Sequence, residues 1–169
     1  SAFAGCMNMT SFNLPENTNI RIIGDHAFSD CQNLLSFVNP VSVEKLGDFC
    51  FENCYNLKTI DLSGNGSIPN LRTLGNHLFV NCRSLESLVI PYNVNEILDI
   101  SMLEGCSSLK FVSVQNGNTT FITGLNSVNN TGVPYSVEEF KNTVPAEFYF
   151  EGDENSAIHK LCSEYAIAF

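Results

Sequence analysis

The chain has no tryptophan and few basic side chains. Its 169 residues include eight lysines and arginines against eighteen aspartates and glutamates, a formal net charge of −10. Recognition of phosphate groups needs clustered basic side chains, so we expect no nucleic-acid partner and no attraction to anionic membrane surfaces. No apolar run approaches the ~20 residues that cross a bilayer, so we also expect no direct membrane insertion.

The sequence also lacks the signatures of catalytic and metal sites. Seven cysteines are present, but none forms the C-x-x-C pair of a typical zinc knuckle. There is no Gly-rich phosphate loop and no Ser nucleophile elbow. No spacing predicts that His26, His77 or His159 lies beside a cysteine, as a nucleophilic pair would require. We therefore expect a protein that is not an enzyme and has no cofactor and no metal.

What the sequence does contain is a unit repeated five times. The units are anchored on cysteines at spacings of 25, 23, 28 and 24 residues: Cys6, Cys31, Cys54, Cys82 and Cys106. Three residues before each cysteine stands a large apolar residue: Phe3, Phe28, Phe51, Phe79 or Leu103. Three residues after it stands another: Met9, Leu34, Leu57, Leu85 or Leu109. Such regular spacing indicates stacked repeats that share one core.

Two further positions complete the unit. Eight residues after the cysteine, four repeats carry an apolar residue, whereas the second repeat carries Asn39. The second half of the unit ends in Ile23-Gly24, Leu46-Gly47, Leu74-Gly75 or Leu98-Asp99. We interpret these glycines as residues that permit a tight turn.

The spacing predicts the local structure of each unit. The L-x-x-I-x-I part alternates with a period of two, which predicts strands at about 9–14, 34–39, 57–62, 85–90 and 109–114. The A-F-x-x-C part is too short for a regular helix and favours a single helical or 3₁₀ turn. A unit of this length cannot bury its apolar face alone, so successive units must stack. The repeat phenylalanines, leucines and cysteines should then be buried, and the thiols reduced.

Three stretches carry a resemblance to a known family: "IGDHAFSDCQNLLSF", "LGDFCFENCYNLKTIDL" and "LGNHLFVNCRSLESLVIP". They resemble the BspA-like subclass of leucine-rich repeats, found in bacterial and some protist surface proteins. The resemblance implies a leucine-rich repeat solenoid of the α/β type, with mostly short parallel strands, 3₁₀ or short helical turns, and a C-terminal strand–helix cap. The chain departs from the pattern by an insertion near residues 63–70 and by a fifth unit without its Phe and Ile-Gly.

The period defines two regions within one domain. Residues 1–114 form five stacked repeats, and "SAFAGC" opens within a repeat, so we expect the native N-terminus upstream. Residues 115–169 comprise an irregular loop and a cap, with a helix after Ser136, a strand, and a second helix from about Ser156 to Tyr165. The cap should place one apolar face near Val112 and Val114: Ile158, Leu161, Cys162 and Tyr165.

The resemblance implies surface exposure and adhesion, so we expect an extracellular or cell-surface location. The partner would be a host or microbial surface or matrix protein, or a glycan. A solenoid binds with its concave sheet, where residues between the buried strand positions point outward. The candidate binding residues are Ser36, Val38, Thr59, Asp61, Ser87, Val89, Phe111 and Ser113. The alternative is a structural spacer in a larger surface protein, with no ligand of its own.

Overall fold

The computed structural model describes residues 1–15, 18–64, 70–122, 136–154 and 156–168. Its strands are, in chain order, β1 (Ser11–Phe12), β2 (Ile22–Ile23), β3 (Ser36–Val38), β4 (Lys45–Leu46), β5 (Thr59–Asp61), β6 (Thr73–Leu74), β7 (Ser87–Ile90), β8 (Ile97–Asp99), β9 (Phe111–Val114), β10 (Thr120–Ile122) and β11 (Tyr149–Glu151). The helices are a 3₁₀ helix at Ile100–Leu103, α1 (Val137–Thr143) and α2 (Ala157–Tyr165).

The strands form two parallel ladders, one for each half of the repeat. The first, which we call the main sheet, contains β1-β3-β5 followed by β7-β9-β11. The second contains β2-β4-β6 followed by β8-β10. Between β5 and β7 the pairing is interrupted, although the Glu86 N–H still donates to the Lys58 carbonyl at 3.4 Å. The predicted solenoid of short parallel strands is confirmed.

The strands of the main sheet are shorter than predicted: all five begin two residues later, and β1, β3 and β5 also end one or two residues earlier. Each repeat leucine belongs to the preceding turn, because its N–H donates to the carbonyl of the repeat cysteine. The Leu34 N–H donates to Cys31 and the Leu57 N–H to Cys54, both at 3.0 Å. The strand begins two residues later, where the backbone pairs with the next repeat.

The A-F-x-x-C segments are turns rather than helices, so the predicted helical or 3₁₀ turn was wrong in four of the five repeats. Only the fifth contains a 3₁₀ helix. In the second repeat, His26 (φ 53°) and Asp30 (φ 61°) adopt the left-handed backbone conformation. The equivalent residues of the next two repeats adopt it too. A left-handed residue ends any helix. The freed backbone groups pair between repeats instead, as in the 2.9 Å bond from the Phe28 N–H to the Cys50 carbonyl.

The repeat glycines allow close stacking, which corrects their interpretation as turn residues. None of Gly24, Gly47 and Gly75 has a positive φ. A Cβ on Gly75 would instead collide with the backbone of Gly47, and one on Gly47 would collide with Asp25. Neighbouring repeats therefore approach too closely here for any side chain.

Ladders of identical side chains fill the core. The rings of Phe3, Phe28, Phe51 and Phe79 stack in one row, with centroids 5.4, 5.4 and 5.8 Å apart. The predicted burial is confirmed for all six residues that define the register: Phe28, Phe51, Phe79, Leu34, Leu57 and Leu85. In the first repeat, Phe3 and Cys6 are exposed, so the predicted burial of the repeat phenylalanines and cysteines was wrong at these two positions.

The C-terminal segment packs on the last strands largely as predicted. A capping box between Ser136 and Glu139 begins α1. β11 pairs with β9 and extends the main sheet, with Phe150 opposite Val112. Ile158 and Cys162 of α2 are buried. Placing Tyr165 on the same face was wrong, because it is 40% exposed at the last turn of α2.

Two further findings concern the extent of the repeats and the membrane. The second ladder continues past residue 114, because β10 pairs with β8 in register. The described part of the chain does not include the side chain of Leu161, which was predicted to pack in the cap, or residues 65–69 of the insertion.

No helix in the described ranges is both long and apolar enough to span a bilayer.

Candidate functional site

The side of the main sheet away from the core presents two rows of side chains, which we call the outer face. Strand pairing aligns the first row across each half of the sheet: Ser11, Ser36 and Thr59, then Ser87, Phe111 and Tyr149. The second row is aligned in the same way: Val38 and Asp61, then Val89, Ser113 and Glu151.

All eight candidate binding residues lie on this face. Most are half-buried, while Thr59 and Val89 are exposed, and Val89 shows 36% of its surface. Asp61 differs because its carboxylate is already engaged within its own turn. Its Oδ1 accepts hydrogen bonds from the Ser63 N–H at 2.8 Å and from the Ser63 hydroxyl. The other candidates are better placed than Asp61 to meet a partner, and binding itself stays a prediction.

Tyr149 is a residue of the outer face that sequence reasoning missed. It lies on β11, directly opposite Phe111, and its ring stacks on the Phe111 ring with centroids 5.5 Å apart and planes at 19°. Tyr149 is 38% exposed and Phe111 is half-buried. The only signal in the sequence was the alternation in "EFYFEG", which places Phe148 and Phe150 inward and Tyr149 outward.

The chemistry of the first row changes along the sheet. At β1 to β7 the first row consists of small hydroxyl side chains, and at β9 and β11 it ends in the two stacked rings. Aromatic rings contribute large contact areas at low entropic cost, and binding energy usually concentrates on a few such residues. The Phe111–Tyr149 pair therefore provides the aromatic surface of the outer face.

A row of charged side chains directly precedes β5, β7 and β9. Glu86 bridges two lysines, with 3.0 Å from Oε1 to Lys58 Nζ and 3.0 Å from Oε2 to Lys110 Nζ. Hydrogen bonds from Lys58 and Lys110 lower the pKa of the Glu86 carboxyl, so it is ionised at neutral pH. The three residues border a groove of about 480 Å³ that also includes Ser84 and Ser108. This border offers a partner both donors and acceptors.

The surroundings of the cysteines and histidines indicate that these residues support the fold. Burial raises the pKa of the Cys50 and Cys106 thiols to about 12, which leaves them protonated and unreactive at neutral pH. His26 and His77 are turn residues, and their rings stack on either side of Phe49 at 5.0 and 4.7 Å. Within the described ranges, no three His, Cys, Asp or Glu side chains are grouped in a way that could hold a metal ion.

The repeat geometry agrees with a family model described as "BspA type Leucine rich repeat region (6 copies)", which matches residues 1–131. The chain belongs to the BspA-type leucine-rich repeat family. This match extends beyond the five repeats found by spacing, in agreement with the pairing of β10. No curated protein matches the chain at a significant level.

Two solved structures show the same type of fold. A leucine-rich repeat protein of T. pallidum is 27% identical, with a TM-score of 0.57 over 71% of this chain and 58% of that one. A leucine-rich repeat protein from Bacteroides ovatus is 24% identical, with a TM-score of 0.61 over 90% of this chain and 41% of that one. The chain thus spans about half the length of these leucine-rich repeat proteins.

Proposed function

We propose that this chain is a non-catalytic binding module of a cell-surface protein and that it holds a protein or glycan partner on the outer face. The observation that carries the proposal is the stacked, partly exposed pair of Phe111 and Tyr149, which ends a row of hydroxyl side chains. Adjacent aromatic rings that stay accessible on a surface are typical of interaction sites.

The family supports the location and the absence of catalysis. BspA-type repeat proteins are typically surface proteins and generally not enzymes. The partner would be a host or microbial surface or matrix protein, or a glycan. The outer face combines hydroxyl groups and two rings, and the alternating charges of Lys58, Glu86 and Lys110 lie at the residues just before its strands. Such mixed chemistry suits a large polar partner.

A spacer role is the second candidate, favoured by the small side chains on the first half of the sheet. Ser11, Ser36 and Thr59 offer little contact area to any partner. In that case the stacked repeats would only separate other domains of a longer surface protein.

An array of glycans and matrix proteins distinguishes the two roles. We expect the chain to bind at least one component, and the double variant Phe111→Ala/Tyr149→Ala to bind it about thirty-fold more weakly, as for a typical hot spot. The matched control is Ile22→Ala, which removes a 62% exposed side chain from the second ladder and should leave binding unchanged. Binding that survives the double variant would contradict the proposed surface, and no binding above background would favour the spacer.

A further inference from the structure

The first row of the outer face continues past Tyr149 to Ala168. A parallel β-bridge pairs these two residues, and the Phe150 N–H donates to the Ala168 carbonyl at 2.9 Å. Paired residues of parallel strands point to the same side of a sheet, so the side chains follow in the order Phe111, Tyr149, Ala168. Phe111 stacks on one face of the Tyr149 ring, whereas Ala168 has only a methyl group to place beside the other. A methyl group is too small to cover a phenol ring, and Tyr149 remains 38% exposed.

A negatively charged groove of about 520 Å³ borders this ring, and we call it the Tyr149 groove. It is lined by Tyr149, Phe150, Glu151, Gly152, Glu154 and His159. Glu151 and Glu154 are exposed, and neither forms an ion pair with a residue in the described ranges. The groove thus places two uncompensated carboxylates beside an open aromatic ring, in a chain whose net charge is already −10.

We propose that the Tyr149 groove binds an arginine side chain of a protein partner, with the guanidinium stacked on Tyr149 and paired with the carboxylates of Glu151 and Glu154. A guanidinium is planar, stacks on aromatic rings and presents a fork of N–H donors that matches a carboxylate. This inference rests on the binding function proposed for the outer face and narrows the partner to a protein with an exposed arginine.

The chain makes a contact of the same kind within its own repeats. The guanidinium carbon of Arg83 lies 4.7 Å from the centroid of the Tyr55 ring. Both residues directly follow a repeat cysteine, so the arginine stacks on the ring from the equivalent position of the next repeat. The arginine of a partner would stack on Tyr149 in the same way, above the small side chain of Ala168.

Charge and shape distinguish arginine from the other ligands that stack on a tyrosine ring. A neutral sugar also packs on aromatic rings, but it would leave the charges of Glu151 and Glu154 uncompensated. A lysine side chain compensates charge, but its ammonium group has no plane to lay against the ring. The combination of an open ring and two unpaired carboxylates therefore favours a guanidinium.

The first test is an NMR titration of the ¹⁵N-labelled chain with the peptide acetyl-Gly-Arg-Gly-amide. Citrulline in place of arginine keeps the planar shape without the charge, and lysine keeps the charge without the plane. We expect the backbone signals of Tyr149 and Gly152 to shift saturably with the arginine peptide. Both matched peptides should bind at least about threefold more weakly, because each lacks one of the two interactions. Lactose serves as the glycan probe and should bind more weakly than the arginine peptide.

Variants of the groove locate the binding. Tyr149→Ala should weaken binding of the arginine peptide about fivefold, as for loss of a cation–π contact. Glu151→Gln and Glu154→Gln should each weaken it about threefold. The matched control is Glu164→Gln, which removes the same charge from an exposed position of α2 outside the groove and should change nothing. The inference is overturned if no saturable shift occurs, if citrulline or lysine binds as well as arginine, or if lactose binds more tightly.

A partner found on the array separates this inference from the proposed function. The double variant Glu151→Gln/Glu154→Gln keeps both rings, whereas Phe111→Ala/Tyr149→Ala removes them. We expect both double variants to lose the partner. A partner lost only with the rings would uphold the binding function of the outer face and overturn the assignment of arginine. A partner kept by both variants would overturn the proposed surface itself, and the arginine site with it.

Discussion

The thiol of Cys82 donates a hydrogen bond to the carbonyl oxygen of Phe51, one repeat earlier, across 3.2 Å. The same oxygen accepts the N–H of Cys54 within its own repeat, also at 3.2 Å. Equivalent thiol bonds join Cys54 to Phe28 and Cys106 to Phe79. The F-x-x-C spacing thus connects each repeat to the next, in addition to filling the core.

This bond predicts how the chain responds to replacement of Cys54. Cys54→Ala removes the thiol donor and leaves a small void, so unfolding free energy should fall by about 1–2 kcal/mol. Cys54→Ser keeps a donor near the Phe28 carbonyl and should cost less than the alanine variant. Urea unfolding measures both values. A serine variant less stable than the alanine variant would show that the thiol acts only by its volume.

Alkaline pH should weaken the fold through the buried thiols. Burial raises the pKa of Cys50 and Cys106 to about 12, while thiols of the unfolded chain ionise near ~8.5. Above that pH the unfolded chain releases protons that the folded chain retains. Stability is therefore complete below pH ~8.5 and falls as pH rises toward 12, by about 1.4 kcal/mol per unit for each thiol.

Urea unfolding under reducing conditions at pH 7.5 and 9.5 tests this dependence. The variant Cys106→Ala serves as the control, because its pH dependence should be smaller by the contribution of one thiol. Equal stability of the parent chain at both pH values would contradict the raised pKa values.

The repeat glycines provide a matched pair of substitutions. Gly75→Ala places a Cβ against the backbone of Gly47, so it should destabilise the chain by about 1–3 kcal/mol. Gly24→Ala meets nothing within 4 Å, so it should be neutral or slightly stabilising. Thermal unfolding of the two variants measures the difference. Equal effects would indicate that neighbouring repeats do not approach closely at this position.

Much of the fold could be predicted from residue spacing, because repetition reveals which positions share an environment. The burial of Phe28, Leu34 and Cys31 follows from that spacing alone. The left-handed conformation of Phe49 could not be predicted, since such a ring is unusual there and is held by stacking with residues of neighbouring repeats. The Phe111–Tyr149 pair depends on the register of β11, which is separated from β9 by an irregular stretch.

The C-terminal cap should be necessary for stability. Phe150, on β11, is fully buried, and its ring lies 6.3 Å from that of Phe140 on α1, so Phe150→Ala should cost about 3–5 kcal/mol. Tyr165→Ala removes a 40% exposed ring from the same segment and should cost much less. Deleting residues 147–169 should lower the melting temperature and promote aggregation. A truncated chain that melts like the parent would make the segment an appended element rather than a cap.

The register of the main sheet determines which side chains the outer face presents, and the proposed binding function depends on it. A cysteine scan of β7 tests the register most directly, in a Cys6→Ser background that removes the exposed native thiol. The account predicts fast labelling by a thiol reagent at positions 87 and 89 and slow labelling at 88 and 90, since Leu88 and Ile90 are fully buried. Fast labelling at positions 88 and 90, with protection at 87 and 89, would contradict it.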